Sequence, residues 1–374
     1  MVINFLGDFV MGEKWNPRVD NRLADFLVHS TFNVINVEAP ILPPPITNRY
    51  TQMEKSGPSL WQSPKGIALL KENNIHVVSL ANNHIMDYGD QGLAQTKMQL
   101  SNFIIGGAGN WSEAYQPIIL TGDGAKIGIL CLTHHEFGTL SDEWDKRYST
   151  GTAWVNHPQV DNVIIETRKA VDYLFVYVHA GVEHTEHPLP EWRDRYRSFV
   201  RLGADAVIAS HPHVPQGWET YCGSPIIYSL GNFYFPKTVK KQPLWYINLC
   251  ASFSLTDKGL RFSIRPLIFD NDSISFDMTE PTSSYLMKLN DILVNNSSYM
   301  EYINTMCTSK APTYDPLFAA SGYVKWESPK TVIRSLVKKF VGKKENSVHF
   351  RNNFCCESHR WLLARAMKLK GKYQ

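Results

Sequence analysis

What most constrains the fold of this chain is an alternation of two patterns. Short apolar runs recur at Val2–Leu6, Phe32–Val37, Val77–Leu80, Lys126–Leu132, Leu174–His179, Ala206–Ala209 and Pro225–Ser229. Helical patterns lie between them, at Gly89–Asn102, Val160–Val171 and Pro190–Leu202. Such alternation specifies an α/β fold. Most of the runs are continuously apolar, as strands buried on both faces must be. The stretch Leu42–Pro64 is broken by prolines and reads as an irregular excursion. From Leu244 to Pro266 the pattern is antiparallel, with Asp257-Lys258-Gly259 as the hairpin turn. After about Asn271 the sequence turns polar, helical and irregular, ending in a basic amphipathic helix at Trp361–Leu369. The expected division is a domain over 1–270 and an extension with a basic tail over 271–374.

The chain can bury a sizeable core, since 43% of its 374 residues are hydrophobic and only 20% are charged. Six cysteines form no CxxC pair and suggest reduced thiols in a cytosolic protein. The first residues already read as a strand without a basic leader, and no apolar run approaches a membrane span. The expectation is therefore a cytoplasmic protein. Charge is distributed unevenly. Lys330–Gln374 holds twelve Lys/Arg against two Glu, which makes the tail +10 and the remainder −7 within a net +3. Such a tail suits peripheral contact with an anionic membrane or polyanion, or is simply a solvated lysine-rich surface.

The polar residues fall where the runs end. The first run gives Gly7-Asp8 and the second Asn36-Val37-Glu38. The third gives Asn82-Asn83-His84 and then Asp87. Later runs give His179 and Glu183, then His211-Pro212-His213 with Gln216 and Glu219, and finally Asn232. Carboxyl ends of strands in open α/β sheets are where ligands collect. Asp, Glu, Asn and His together, with no cysteine, form a donor set suited to Mn²⁺, Zn²⁺ or Fe²⁺. Taken singly each residue has a plainer reading: Asp8 as a turn or helix cap, Glu38 as a solvated loop residue, His179 as a satisfied core imidazole. Six strand ends together favour a site. The remaining histidines (His29, His76, His134, His135, His157, His349 and His359) read as surface or packing residues, with His184 and His187 at a rim.

The series GD, NxE, LANNHxxDYG, HxGxE, GADxVxxxHPHxxQxxE and YSLGNFxF, spread over Val2–Pro236, resembles the CapA family of poly-γ-glutamate capsule-synthesis proteins. That family is related to calcineurin-like metallophosphoesterases. The resemblance implies a two-sheet β-sandwich flanked by helices (αββα), with one or two divalent metal ions at the strand ends. It implies Asp8 on a first metal, Glu38 bridging, and Asn83, His179 and His211 on a second, with His213 reaching back to the first. The chain departs from the wider superfamily in having Val10 where a histidine is usual and Glu38 where aspartate is usual. Ala180 stands where CapA-type proteins more often carry Trp.

With such a site His84 would act on substrate as acid or oxyanion stabiliser. Asp87 either orients His84 or caps the helix that begins near Gly89. Asn82, Glu183, Gln216, Glu219 and Asn232 would support the metals or the substrate. The expected function is metal-dependent hydrolysis of a phosphoester, or a related bond, in an envelope polymer or its phosphorylated precursor. The alternative is a non-catalytic accessory subunit of a capsule-synthesis machine that binds polymer or precursor. No nucleic-acid partner is expected, because aromatic–basic interleaving is missing from the sequence.

Overall fold

The computed structural model describes residues 1–46, 49–144, 149–237, 242–256, 259–314 and 345–369. Two sheets pack face to face. The first has the order Arg18–Val19, Ser273–Phe276, Gly259–Phe269, Ile247–Thr256, Val2–Phe9, Phe32–Val37, Ile75–Ser79 and Ile104–Gly106, with Asn232–Tyr234 joined to the end of Val2–Phe9. The second has the order Pro215–Tyr221, Ser224–Leu230, Ala206–Ser210, Tyr173–His179, Ala125–Thr133 and Ile118–Gly122. Every run expected to be a strand is one, and the antiparallel hairpin appears as Ile247–Thr256 on Gly259–Phe269. Its turn residues Asp257 and Lys258 lie outside the described residues.

Period-two geometry gives each strand two apolar faces to bury. Inward faces contribute Ile3, Phe5, Val34, Phe175, Tyr177, Ile208 and Phe253 to the layer between the sheets. The outer face of the first sheet is covered by helices Asn21–Val28, Gly66–Glu72 and Gly89–Gln99, through Leu23, Leu27, Leu70 and Leu93. Helices Gln159–Ala170 and Pro190–Arg201 cover the second through Val160, Ile164, Trp192, Tyr196 and Phe199. This is the αββα sandwich expected from the sequence.

The chain passes from the second sheet to the first at Gly231, between Ser224–Leu230 and Asn232–Tyr234. A Cβ on Gly7 would lie 1.9 Å from the carbonyl oxygen of Gly231, and Gly231 itself has φ +71°. Only glycine permits that approach, which sets Asp8 beside Asn232 in register.

The boundary expected at 270 falls inside a sheet. Ser273–Phe276 pairs with Gly259–Phe269 and with Arg18–Val19, so the first sheet closes after that point. The rest is helical at Glu280–Val294, Asn296–Lys310, Glu345–Cys355 and Glu357–Leu369. These helices share the core of the sandwich: Leu293, Tyr299, Ile303, Leu362 and Ala366 pack with Trp192 and Tyr196. Trp361 meets Trp192 edge-on at 4.8 Å. Amphipathic residues 361–369 thus turn their apolar face to the protein, leaving Arg360 and Lys368 outward. Eight of the twelve Lys/Arg of the basic tail, within 330–344 and 370–374, lie outside the described residues. Among the described residues no helix is long and apolar enough to cross a membrane, and all six cysteines are unpaired.

Candidate metal centre

The parallel strands of both sheets point the same way, so their carboxyl ends meet. The first sheet delivers Asp8, Glu38 and the loop Asn82-Asn83-His84. The second delivers His179 from Tyr173–His179 and His211 and His213 just beyond Ala206–Ser210. All are buried, Asp8 and Glu38 completely. His211 and His213 have φ +98° and +60°. Non-glycine residues held at positive φ carry strain and concentrate at functional sites. Here the strain turns both imidazoles inward around Pro212.

The contacts form one connected group. His179 Nδ1 lies 3.2 Å from Asp8 Oδ1, while its Nε2 lies 3.1 Å from both Asn83 Oδ1 and His211 Nδ1. Asp8 also accepts from Asn36 Nδ2 at 2.7 Å and from the His211 backbone N–H at 3.1 Å. His213 Nδ1 is 2.9 Å from Asn232 Oδ1 and 3.6 Å from Asp8 Oδ2.

Glu38 is the exception. Both of its carboxylate oxygens are buried without a hydrogen-bond partner. Its nearest imidazole nitrogens, His179 Nε2 and His213 Nε2, stand 3.6 Å from Oε1, too far to bond. A buried carboxylate without partners is costly in isolation. The separations are instead those of donors sharing an ion, since ligands about 2.0–2.2 Å from one centre sit about 3–3.6 Å apart. Two overlapping sets result: Asp8, Glu38 and His213, and Glu38, His179 and His211. The residues present fit a divalent ion in either set, with Glu38 shared.

Electrostatics agree. Burial drives the Glu38 carboxyl well above its usual range, and the adjacent Asp8 charge adds to that. For Asp8 burial pushes upward, but His179 and His213 outweigh it and hold the acid low. Burial takes His213 down to about 3, against the pull of Asp8, and moves His211 well below the usual imidazole value. Neutral imidazoles around an ionised aspartate are ready to bind a cation.

Asp87 faces His84 and not the helix end. It does not cap the helix, whose N-cap is Tyr88. Its Oδ2 lies 2.7 Å from His84 Nδ1 and accepts from the Leu60 N–H at 2.6 Å. Lys55, buried to 3% side-chain exposure, pairs with Asp87 and reaches His84 Nδ1 at 3.1 Å. With Nδ1 committed, Nε2 is the nitrogen left for a substrate. Burial, then the Lys55 charge, lowers the His84 pKa.

The supporting residues divide. Asn82 braces the loop, accepting from the His84 and Ile85 N–H groups and donating to Asn36 and Val37. Asn232 donates to the carbonyls of His213 and Trp245. Gln216 donates to Thr185, and Glu183 is a rim residue at 53% side-chain exposure, 3.8 Å from His184. The Glu219 carboxylate is held by Arg193, Arg197 and Tyr228, with no contact to the cluster. A groove of about 640 Å³ opens beside His184, lined by Glu301, Tyr302 and Lys310 among others.

Sequence reasoning missed Lys55, which sits in the proline-broken excursion where no periodicity marks it. It also missed His134 and Glu136. Of its two expected readings His134 takes the packing one: it is 1% exposed, with its ring 4.4 Å from that of His211. Glu136 Oε2 accepts from Asn83 Nδ2 at 2.9 Å. The signal was present, because Lys126–Leu132 also ends in a polar run, Thr133-His134-His135-Glu136. Val10 sits 7% exposed in the apolar outer layer and adds no donor.

The fold and site define a class: an α/β sandwich whose strand ends converge on a buried carboxylate–imidazole cluster fit for divalent metal. The bacterial capsule synthesis protein PGA_cap family matches residues 2–237, and the chain belongs to that family. It is 31% identical to the PGA biosynthesis protein CapA of Bacillus subtilis over 242 residues, covering 62% of each chain. It is 25% identical to the capsule biosynthesis protein CapA of Bacillus anthracis, covering 63% of this chain and 60% of that one. A Mycobacterium tuberculosis protein named "probable polyglutamine synthesis accessory protein" is 25% identical over 45% of this chain and 47% of its own length. The chain thus spans about three fifths or less of the length of these relatives. Among solved structures, a hypothetical protein from Thermus thermophilus gives a TM-score of 0.45 at 15% identity, covering 72% of this chain and 99% of that one. The NAD nucleotidase of Haemophilus influenzae gives 0.39 at 11%, covering 85% and 70%.

Proposed function

We propose that this chain is a metal-dependent hydrolase acting on a phosphoester, or a related bond, of a capsule polymer or its phosphorylated precursor. The observation that carries this reading is Glu38: a fully buried carboxylate with two unpartnered oxygens, ringed by Asp8, His179 and His213. Asp8, Glu38 and His213 would hold one ion, and Glu38, Asn83, His179 and His211 a second, of the Mn²⁺, Zn²⁺ or Fe²⁺ kind. When bound, such an ion supplies Lewis acidity, drawing charge from a phosphoryl oxygen and making water a stronger acid.

The chain's own residues supply the rest. The Leu60 N–H holds Asp87, and Asp87 fixes the His84 ring in the tautomer with hydrogen on Nδ1. Nε2, unprotonated in that tautomer, would take the proton released by the attacking water and return it to the leaving oxygen, so that the ring ends neutral. Lys55 neutralises Asp87 and keeps His84 from charging before substrate arrives. Asn36 and Asn232 orient Asp8 and His213. The apolar walls at Phe235 and Trp245, both within 5.5 Å of the His213 ring, limit water on that side.

The second reading, an accessory subunit that binds polymer without turnover, is supported by the name of the mycobacterial relative. Elemental analysis of the purified chain, with His84→Ala beside it on a phosphodiester and phosphomonoester panel with Mn²⁺, separates the two. Bound metal with turnover reduced about 10²–10⁴-fold in the variant supports the hydrolase. Bound metal without turnover in either protein supports the accessory reading. Any work at an envelope surface would use the basic tail. Changing Lys338, Lys339, Lys343 and Lys344 to Glu should abolish low-salt binding to anionic vesicles, and unchanged binding removes that role.

A further inference from the structure

A second group of metal-binding side chains lies beside the main cluster. Cys356, His134 and Glu136 each place a donor atom within 4.8 Å of the others. Cys356 is fully buried and His134 is 1% exposed. The thiol is 3.8 Å from His134 Nδ1, and His134 Nε2 is buried without a partner. Three residues on, in the first turn of helix Glu357–Leu369, His359 Nε2 lies 3.9 Å from Glu136 Oε1, while its Nδ1 is held by the Tyr314 hydroxyl at 2.6 Å. One ring nitrogen fixed by an oxygen and the other facing a carboxylate is the arrangement of a metal-binding imidazole. Two chain segments far apart in sequence therefore bring His134, Glu136 and Cys356 together, with His359 set beside Glu136.

We propose that Cys356, His134, Glu136 and His359 form a thiolate-containing metal site, of the Zn²⁺ class, that fastens the C-terminal helix to the sandwich. The chemistry differs from that of the main cluster, whose donors are oxygen and imidazole alone. A thiolate selects Zn²⁺ and other soft or borderline ions over Mg²⁺ or Ca²⁺. Donors around tetrahedral zinc stand about 3.3–3.7 Å apart, so Cys356, His134 and Glu136 close on an ion by contracting about an ångström, and His359 swings in from beside Glu136 as the fourth ligand. Binding displaces the thiol proton to solvent and leaves a neutral imidazole on each side. The position matters because Glu136 also holds Asn83, and His134 packs on His211. The site would thus brace the main cluster from behind while tying helix Glu357–Leu369 in place. The carboxylate of Glu357, which accepts from the His135 N–H and Asn156, marks the same junction.

The test is Co²⁺ titration of the metal-free full chain, read by thiolate-to-cobalt charge-transfer absorption in the near ultraviolet and by bound metal. The wild type should show that band. Cys356→Ser should lose it together with one bound ion, and Cys355→Ser should keep both. Glu38→Gln should keep the band while losing metal from the main cluster, which separates this proposal from the hydrolase reading. A wild type without the band overturns the proposal, as does a band unchanged in Cys356→Ser. If that variant does not fold, His134→Gln decides: a band unchanged in intensity and position overturns the site.

Discussion

Replacing Glu38 by glutamine should change stability in opposite directions with and without metal. In metal-free protein the Glu38 carboxylate is buried, has no hydrogen-bond partner and faces the Asp8 charge. An unsatisfied buried polar group costs about 1–3 kcal/mol, and a charged one more. Glutamine fills the same volume without the charge, and its amide can donate to the imidazole nitrogens 3.6 Å away. The variant should therefore be the more stable protein in EDTA at pH 8, where the wild-type acid is most ionised. For 374 residues the unfolding entropy is about 0.8 kcal/mol/K, so 1–3 kcal/mol corresponds to a Tm rise of about 1–4 °C. Adding Mn²⁺ or Zn²⁺ reverses the order. At a hundredfold excess over Kd the wild type gains about 2.7 kcal/mol, near 3 °C, while a variant that binds no ion gains nothing. Thermal unfolding of both proteins, with chelator and with metal, reads all four values. A variant less stable in EDTA that still shifts with metal as the wild type does would refute the argument that Glu38 is a ligand without an ion.

Other outcomes follow from the same contacts. Asp87→Asn should leave metal content unchanged and lower turnover about 10–100-fold, the range an imidazole's orienting partner carries, with the loss read as kcat across pH. Gly7→Ala should lower Tm by a few degrees, because its Cβ would overlap the Gly231 carbonyl at 1.9 Å and overpacking costs about 1–3 kcal/mol; an unchanged melting curve would contradict the close approach of Gly7 to Gly231. Acid should destabilise the metal-free protein between pH 6.5 and 4. His134 and His187 are pushed down to about 4 by burial, so the unfolded chain binds more protons in that window and stability falls as pH falls. Each contributes about 1.4 kcal/mol per pH unit, and Glu38, whose pKa is raised, opposes with one proton. Urea midpoints across that range check the sign, and a flat profile would mean the histidines are hydrated.

The site was legible where chemistry and position coincide on one segment. Asp8, Glu38, Asn83, His84, His179, His211 and His213 all follow apolar runs, and strand ends are the same feature in sequence and in space. Glu219 misled for a reason internal to that rule. It lies two residues along Pro215–Tyr221 from Gly217, where the strand has already left the cluster, and Arg193 and Arg197 on a neighbouring helix claim it. Lys55 carried no pattern at all, because an irregular loop is positioned by what it packs against.

By itself the sequence determined the strands, the helices over them and the strand-end residues that gather in the main cluster, because periodicity and strand-end chemistry are local properties of the chain. Only the tertiary structure decided which pairings those residues make. It placed Asp87 on His84 instead of on a helix end, left both Glu38 oxygens without partners, and closed the first sheet with Ser273–Phe276 beyond the expected boundary. It also carried Cys356 and His359 more than two hundred residues back to His134 and Glu136. Such contacts depend on how the C-terminal helices pack against Trp192 and Tyr196, a choice made by complementary apolar surfaces that no local window of sequence contains.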